Sequence, residues 1–111
     1  MEGLVKGDVV ILLFPFSDLS SSRKRPAVVV AKLSGDDLIL AQITSSVVRS
    51  DEYAVVLEAP DFKQGQLPIS SLIKPNKLFT ADKSIIFSKV GSLHEEKIKE
   101  VQDLLVHIMT K

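Results

Sequence analysis

The sequence predicts a mainly β domain of the α+β class: a strongly bent sheet or small barrel of short strands, with one terminal amphipathic helix packed against it. Two observations carry this reading. Most of the chain is a series of short, β-branched apolar segments punctuated by turn residues, and after Gly91 the apolar residues change from strand-like spacing to spacings of three and four. A third sets the scale, since 111 residues with 45% hydrophobic content suffice for one core and are too few for two ordinary domains. Residues 1–111 are accordingly read as a single domain without repeat, linker or low-complexity tract.

The elements follow in order. The segments "DVVILLF" (8–14) and "PAVVVAKL" (26–33) are nearly continuous in apolar character, as strands buried on both faces are, and belong at the centre of the sheet. "SGDD" (34–37) signals a tight turn, and "LILAQITS" (38–45) returns from it, so residues 26–45 form a hairpin that folds Thr44 back towards Arg25. "EYAVVLE" (52–58) is a further strand and "APDFKQGQLP" (59–68) a loop. "SSLIKPNKLF" (70–79) is a broken strand whose Pro75 requires an edge or a bulge, and "SIIFSKV" (84–90) is another short strand. Ser92 with Glu95 three residues on reads as a capping box, and Ile98, Val101, Leu104, Leu105 and Ile108 then mark the inner stripe of a helix.

Composition excludes several function classes. Lys plus Arg and Asp plus Glu each number 14, so no global field draws the molecule to a polyanion or a membrane, and any polyanion site is local. Without cysteine there is neither a disulfide framework nor a cysteine–zinc site, which suits a reducing cytoplasm. The start "MEGLVKGD" has no basic segment leading into an apolar one, and "VVILLF" is far short of a membrane span, so a soluble cytoplasmic protein with no membrane partner is expected. GxSxG, Walker, GxGxxG and HExxH patterns are absent from the sequence. His94 and His107 fall on the terminal helix and are given no catalytic role, and Glu95 and Glu96 suit the positive end of its dipole.

The stretch "SSSRKRPAVVVA" (20–31) is harder to explain by packing alone, although a solvated hairpin loop remains an open reading of its residue types. Arg25 precedes Pro26 and is therefore biased towards extended backbone at the entrance of a buried strand. A permanently protonated planar fork on a stiff mount is what a phosphate or a transition-state oxyanion requires. Arg23 and Lys24 add charge nearby, and the hydroxyls of "SDLSSS" (17–22) can donate to phosphate oxygens or to the edges of unstacked bases.

The ordered set "GDVVILLFPFSDLSSSRKRPAVVVA", "ILAQITS" and "LPISSLIKPNKLFTADKSIIFSKVGSLHEEKIKEV" resembles the MazF/PemK-like toxins of type II toxin–antitoxin systems over nearly the whole chain. The resemblance implies a small SH3-like, plasmid-toxin-type β-barrel. It also implies a metal-independent, sequence-selective endoribonuclease that leaves 2′,3′-cyclic phosphate and 5′-hydroxyl ends and needs no cofactor. Arg25 matches the catalytic arginine of the family's "RP" motif, and Thr44 matches the hydroxyl residue that works with it on the scissile phosphate. Around this pair, Ser17, Asp18, Ser20, Ser21, Ser22, Arg23, Lys24, Ser45 and Arg49 are candidate RNA-binding residues. The expected partners are single-stranded RNA, messenger RNA foremost, a cognate antitoxin and a second copy of the chain. DNA is not expected.

One departure is plain. Many members carry a Gly-Ser-Glu-Gln-like loop between the "GD" and "RP" motifs, whereas this chain has "FSDLSSSRK", without the glycine or the glutamate. Two further readings therefore stay open: a catalytically silent member acting as an RNA- or protein-binding module, and a gyrase-inhibiting toxin of the same fold. The ending "LLVHIMTK" lacks the aromatic tail associated with the second, which would also leave the Arg25–Thr44 pair unexplained.

Overall fold

The computed structural model describes residues 3–13, 24–45 and 52–111. Among the described residues, seven strands form one antiparallel sheet in the order β4-β6-β3-β2-β1-β7-β5, and one α-helix, α1, follows them. The strands are β1 (Asp8–Leu13), β2 (Lys24–Lys32), β3 (Asp37–Thr44), β4 (Val55–Leu57), β5 (Phe62–Gly65), β6 (Ser71–Asp82) and β7 (Ile86–Leu93), and α1 spans Glu95–Met109. β4 and β5 are the two edges, so the sheet curls into a half-barrel without closing. β2 lies in the middle of the order with β1 and β3 on either side, as their continuous apolar character predicts.

Alternation along these strands divides the core into two clusters. Val10, Leu12, Ala27, Val29, Leu38, Leu40, Phe79, Ala81 and Ile86 pack on one face of the sheet, with Leu4 added from the N-terminal segment. Val9, Val28, Ala41, Ile43 and Ile73, at the alternate strand positions, pack on the other face with Val101 of α1. Two-residue periodicity thus gives the sheet two buried faces, and the helix covers the second.

Three local features differ from the sequence reading. Ser92 does not cap the helix: it is buried in β7 opposite Asp8, and its Oγ donates to Asp8 Oδ1 at 2.9 Å. The N-cap is His94, which makes no side-chain capping bond, while Glu95 and Glu96 do occupy the first turn. Continued pairing of β7 with β1 outweighs the local capping signal. Within residues 59–68 the chain forms a 3-10 turn at Ala59–Asp61 and then the short edge strand β5, paired to β7 through Phe62↔Leu93 and Gly65↔Gly91. Finally, β6 extends beyond the anticipated break, to Asp82. The Asp82 carboxylate accepts from Ser84 N at 2.8 Å, and that bond holds it below the usual carboxylate range.

Pro75 does sit in a bulge, with its side chain fully buried. The β3–β6 register passes from Ala41↔Leu78 directly to Gln42↔Lys74, which leaves Pro75, Asn76 and Lys77 out of the ladder.

Candidate functional site

The site is built where β1 ends and β2 begins, and where β3 ends beside the start of β6. Leu12 lies opposite Arg25 on β2 and opposite Ile86 on β7, while Thr44 lies opposite Leu72. The β2–β3 register is anchored by Ala27↔Gln42. Carried two residues further, the same register sets Arg25 across from Thr44. Directly opposed residues of an antiparallel pair share a face. Arg25 therefore continues the face that carries Leu12, Ala27 and Val29, and Thr44 the face that carries Leu38 and Leu40.

At one end of the sheet this face is a closed apolar core; at the other it opens. Arg25, Gln42, Thr44, Leu72 and Lys74 are each only partly buried there, on three adjacent strands. Arg25 is well held. Leu12 beside it is fully buried, and Pro26 and Ala27 follow it into the sheet. Its Nε is a buried donor without a hydrogen bond, although the side chain does interact with its surroundings, as does Thr44. A half-buried guanidinium beside a hydroxyl can bind a phosphoryl group and stabilise charge developing on it.

Lys24, one residue before Arg25, alternates to the opposite face. There its Nζ stands 3.6 Å from the centroid of the Phe87 ring, a cation–π contact at the open end of β1 and β7. Ser45 is exposed immediately after β3. The structure thus brings Arg25 and Thr44 to one end of one face, places Lys24 at the same end on the other, and leaves Ser45 just past the end of β3. Ser17, Asp18, Ser20, Ser21, Ser22, Arg23 and Arg49 lie outside the described residues.

Sequence reasoning passed over Gln42 and Lys74. The signal for Gln42 was available, because it is two residues before Thr44 on a strand and so shares its face. No local signal marks Lys74, whose position depends on a register set by a distant strand. Among the described residues, no group of three or more His, Cys, Asp or Glu side chains is arranged to hold a metal ion. None of the described helices is long and apolar enough to cross a membrane.

Comparison with known proteins bears directly on this arrangement. The family model described as "PemK-like, MazF-like toxin of type II toxin-antitoxin system" matches residues 5–109. No curated protein matches the chain. Among solved structures, the chain is similar to an endoribonuclease in complex with its cognate antitoxin from a mycobacterial species. That match has a TM-score of 0.76 at 12% identity and covers 97% of this chain and 96% of the other. It is also similar to MazF (Form-I) from Deinococcus radiodurans, with a TM-score of 0.74 at 18% identity and 97% of each chain covered. Mycobacterium tuberculosis toxin MazF-mt6 matches with a TM-score of 0.71 at 15% identity, covering 93% of this chain and 96% of the other. At these identities the structural likeness speaks for the fold.

Proposed function

The chain belongs to the PemK-like, MazF-like toxins of type II toxin–antitoxin systems, and from that premise we propose that it is a metal-independent endoribonuclease acting on single-stranded RNA in the cytoplasm. The observation that carries the reading is the placement of Arg25 and Thr44 on one face at the open end of the central strands. Solved structures that share the fold are described as endoribonucleases, one of them bound to its antitoxin. A cognate antitoxin is accordingly the partner that restrains this chain.

The ribose 2′-oxygen attacks the adjacent phosphorus as the 2′-hydroxyl loses its proton. The bond to the 5′-oxygen breaks, and that oxygen gains a proton, leaving a 2′,3′-cyclic phosphate and a 5′-hydroxyl. Charge accumulates on the non-bridging oxygens along this path. The Arg25 guanidinium is suited to neutralise it bidentately while the Thr44 hydroxyl holds one oxygen in register. As a proton-transfer group arginine is poorly matched to neutral pH, so electrostatic stabilisation is its main contribution.

Homodimerisation completes the proposal. The described surface includes exposed apolar side chains near the site, Val56 at 52% and Phe87 at 60%, which a second copy or the antitoxin would cover.

The test is incubation of purified protein, in EDTA, with a long RNA containing both paired and unpaired regions, followed by mapping of fragment ends. Discrete cuts bearing 5′-hydroxyl ends are expected. Arg25→Ala should lower the rate at least about a hundredfold, and Thr44→Ala should cost less. An Arg25→Lys enzyme of near-full activity would remove the bidentate requirement. A folded wild-type protein that makes no cuts, and whose expression leaves growth unaffected, would replace the enzyme with a binding module.

A further inference from the structure

The β6 bulge turns one cation onto the Arg25 face, and a polar residue meets it there. Residues 74 and 78 are an even number apart and in a regular strand would share a face. They do not. Leu78 is opposite Ala41 and packs with the cluster beneath α1, whereas Lys74 is opposite Gln42, whose strand neighbours on the same face are Leu40 and Thr44. The three residues left out of the ladder, Pro75 to Lys77, invert the alternation. The buried Pro75 ring holds the inversion in place, and Ile73, fully buried on the helix side, fixes its neighbours Leu72 and Lys74 to the other face.

We propose that Lys74 and Gln42 form a second RNA subsite beside the cleavage pair, with Lys74 binding a phosphate next to the scissile one and Gln42 hydrogen-bonding the base or sugar between them. This assignment rests on the endoribonuclease reading and deepens it. Three points support it. Thr44 is opposite Leu72, so Lys74 is its diagonal neighbour, about 7–8 Å away across the ladder. From Arg25 on β2 to Lys74 on β6 is two strand spacings across and two residues along, about 12 Å, which two long cationic side chains and consecutive phosphates of an extended strand can bridge. Both residues are half-buried on strands inside the sheet, so little side-chain freedom is lost on binding.

Lys74 already interacts with its surroundings in the free chain, so a phosphate arriving there exchanges one partner for another. Gln42 offers both a donor and an acceptor, the pair needed to read a base edge or a 2′-hydroxyl. An ammonium fixes phosphate position without sequence information, and an amide can carry that information. The two residues therefore have separable effects.

The experiment measures binding of a short single-stranded RNA, made non-cleavable by a 2′-O-methyl group at the cut, to the full chain across a salt series. Lys74→Ala is expected to weaken binding about five- to tenfold for every sequence tested and to lessen the slope of log K against log salt by about 0.7, one phosphate contact. Lys74→Arg should restore both. Gln42→Ala should leave the slope unchanged and relax the preference at one nucleotide. Urea midpoints of each variant identify any loss of folding, and Lys74→Gln serves if the alanine variant does not fold. An unchanged slope and affinity in the folded Lys74 variants overturns the subsite even if the wild type cuts RNA. If the wild type does not cut, a Lys74-dependent slope still upholds the subsite, whereas failure to bind RNA at all overturns both.

Discussion

Gly7 and Asp8, at the end of β1 away from the site, illustrate how two adjacent residues can be architectural. Gly7 has φ of 94°, donates its N–H to Val29 O at 2.8 Å and accepts from Leu93 N at 3.0 Å, and a side chain there would collide with Ile98 of the helix. Asp8, 1% exposed, accepts from Ser92 Oγ and from Val5 N, each at 2.9 Å, with Lys89 Nζ 3.4 Å away. One carboxylate thus ties the N-terminal segment, β1 and β7 together. Removing it strands several polar groups in or near the interior. Asp8→Ala should therefore cost about 2–4 kcal/mol, towards the lower end because Lys89 is partly solvated, and Ser92→Ala about 1 kcal/mol. Urea denaturation checks both values. A loss for Asp8→Ala no greater than that for Ser92→Ala would show that the carboxylate serves only the serine. Neither change touches Arg25 or Thr44, so the folded fraction should cut RNA at the wild-type rate.

At the scale of elements, α1 is attached through a narrow contact. Val101 is its one fully buried residue, while Ile98, Leu104 and Leu105 pack partly buried around it and Val106 is 57% exposed. Val101→Ala should cost about 2 kcal/mol through two lost methyl groups and the cavity they leave, whereas Val106→Ala should stay within about 0.5 kcal/mol. Equal losses by denaturation would mean that the outer face of α1 is covered in solution. The same elements show what the sequence made legible. The central strands, the hairpin joining them and the helical stripe were readable because period and turn chemistry are local. The helix start was misread because Ser92 is held by the ladder and by Asp8, 84 residues away in sequence. β5 was missed because a four-residue edge strand with one buried side chain carries no period. In the candidate site, the shared face of Arg25 and Thr44 was legible from the hairpin, whereas the placement of Lys74 depends on a bulge that only pairing with β3 reveals.

For the whole molecule, electrical neutrality limits how RNA can be held. With 14 cationic and 14 acidic side chains, attraction must come from the few cations near the site. Lys6 is not among them, since it lies against the helix and donates to Gln102 Oε1 at 2.8 Å. Among the described residues, Arg25 and Lys74 are on the open face, and Lys24 is at the same end on the other face. Two to four phosphate contacts per subunit then correspond to a slope of about −1.4 to −2.8 in log K against log salt. Raising monovalent salt from about 50 to about 200 mM should weaken binding of a short single strand roughly 7- to 50-fold. Fluorescence anisotropy with a non-cleavable RNA measures it directly. A slope steeper than about −5 would require a longer cationic track than the described residues of the open face offer, and would place the RNA elsewhere. A slope inside the predicted range, lessened by Lys74→Ala and by Arg25→Ala but unchanged by Lys6→Ala, would locate the strand on the face that the β2–β3 hairpin and the β6 bulge build together.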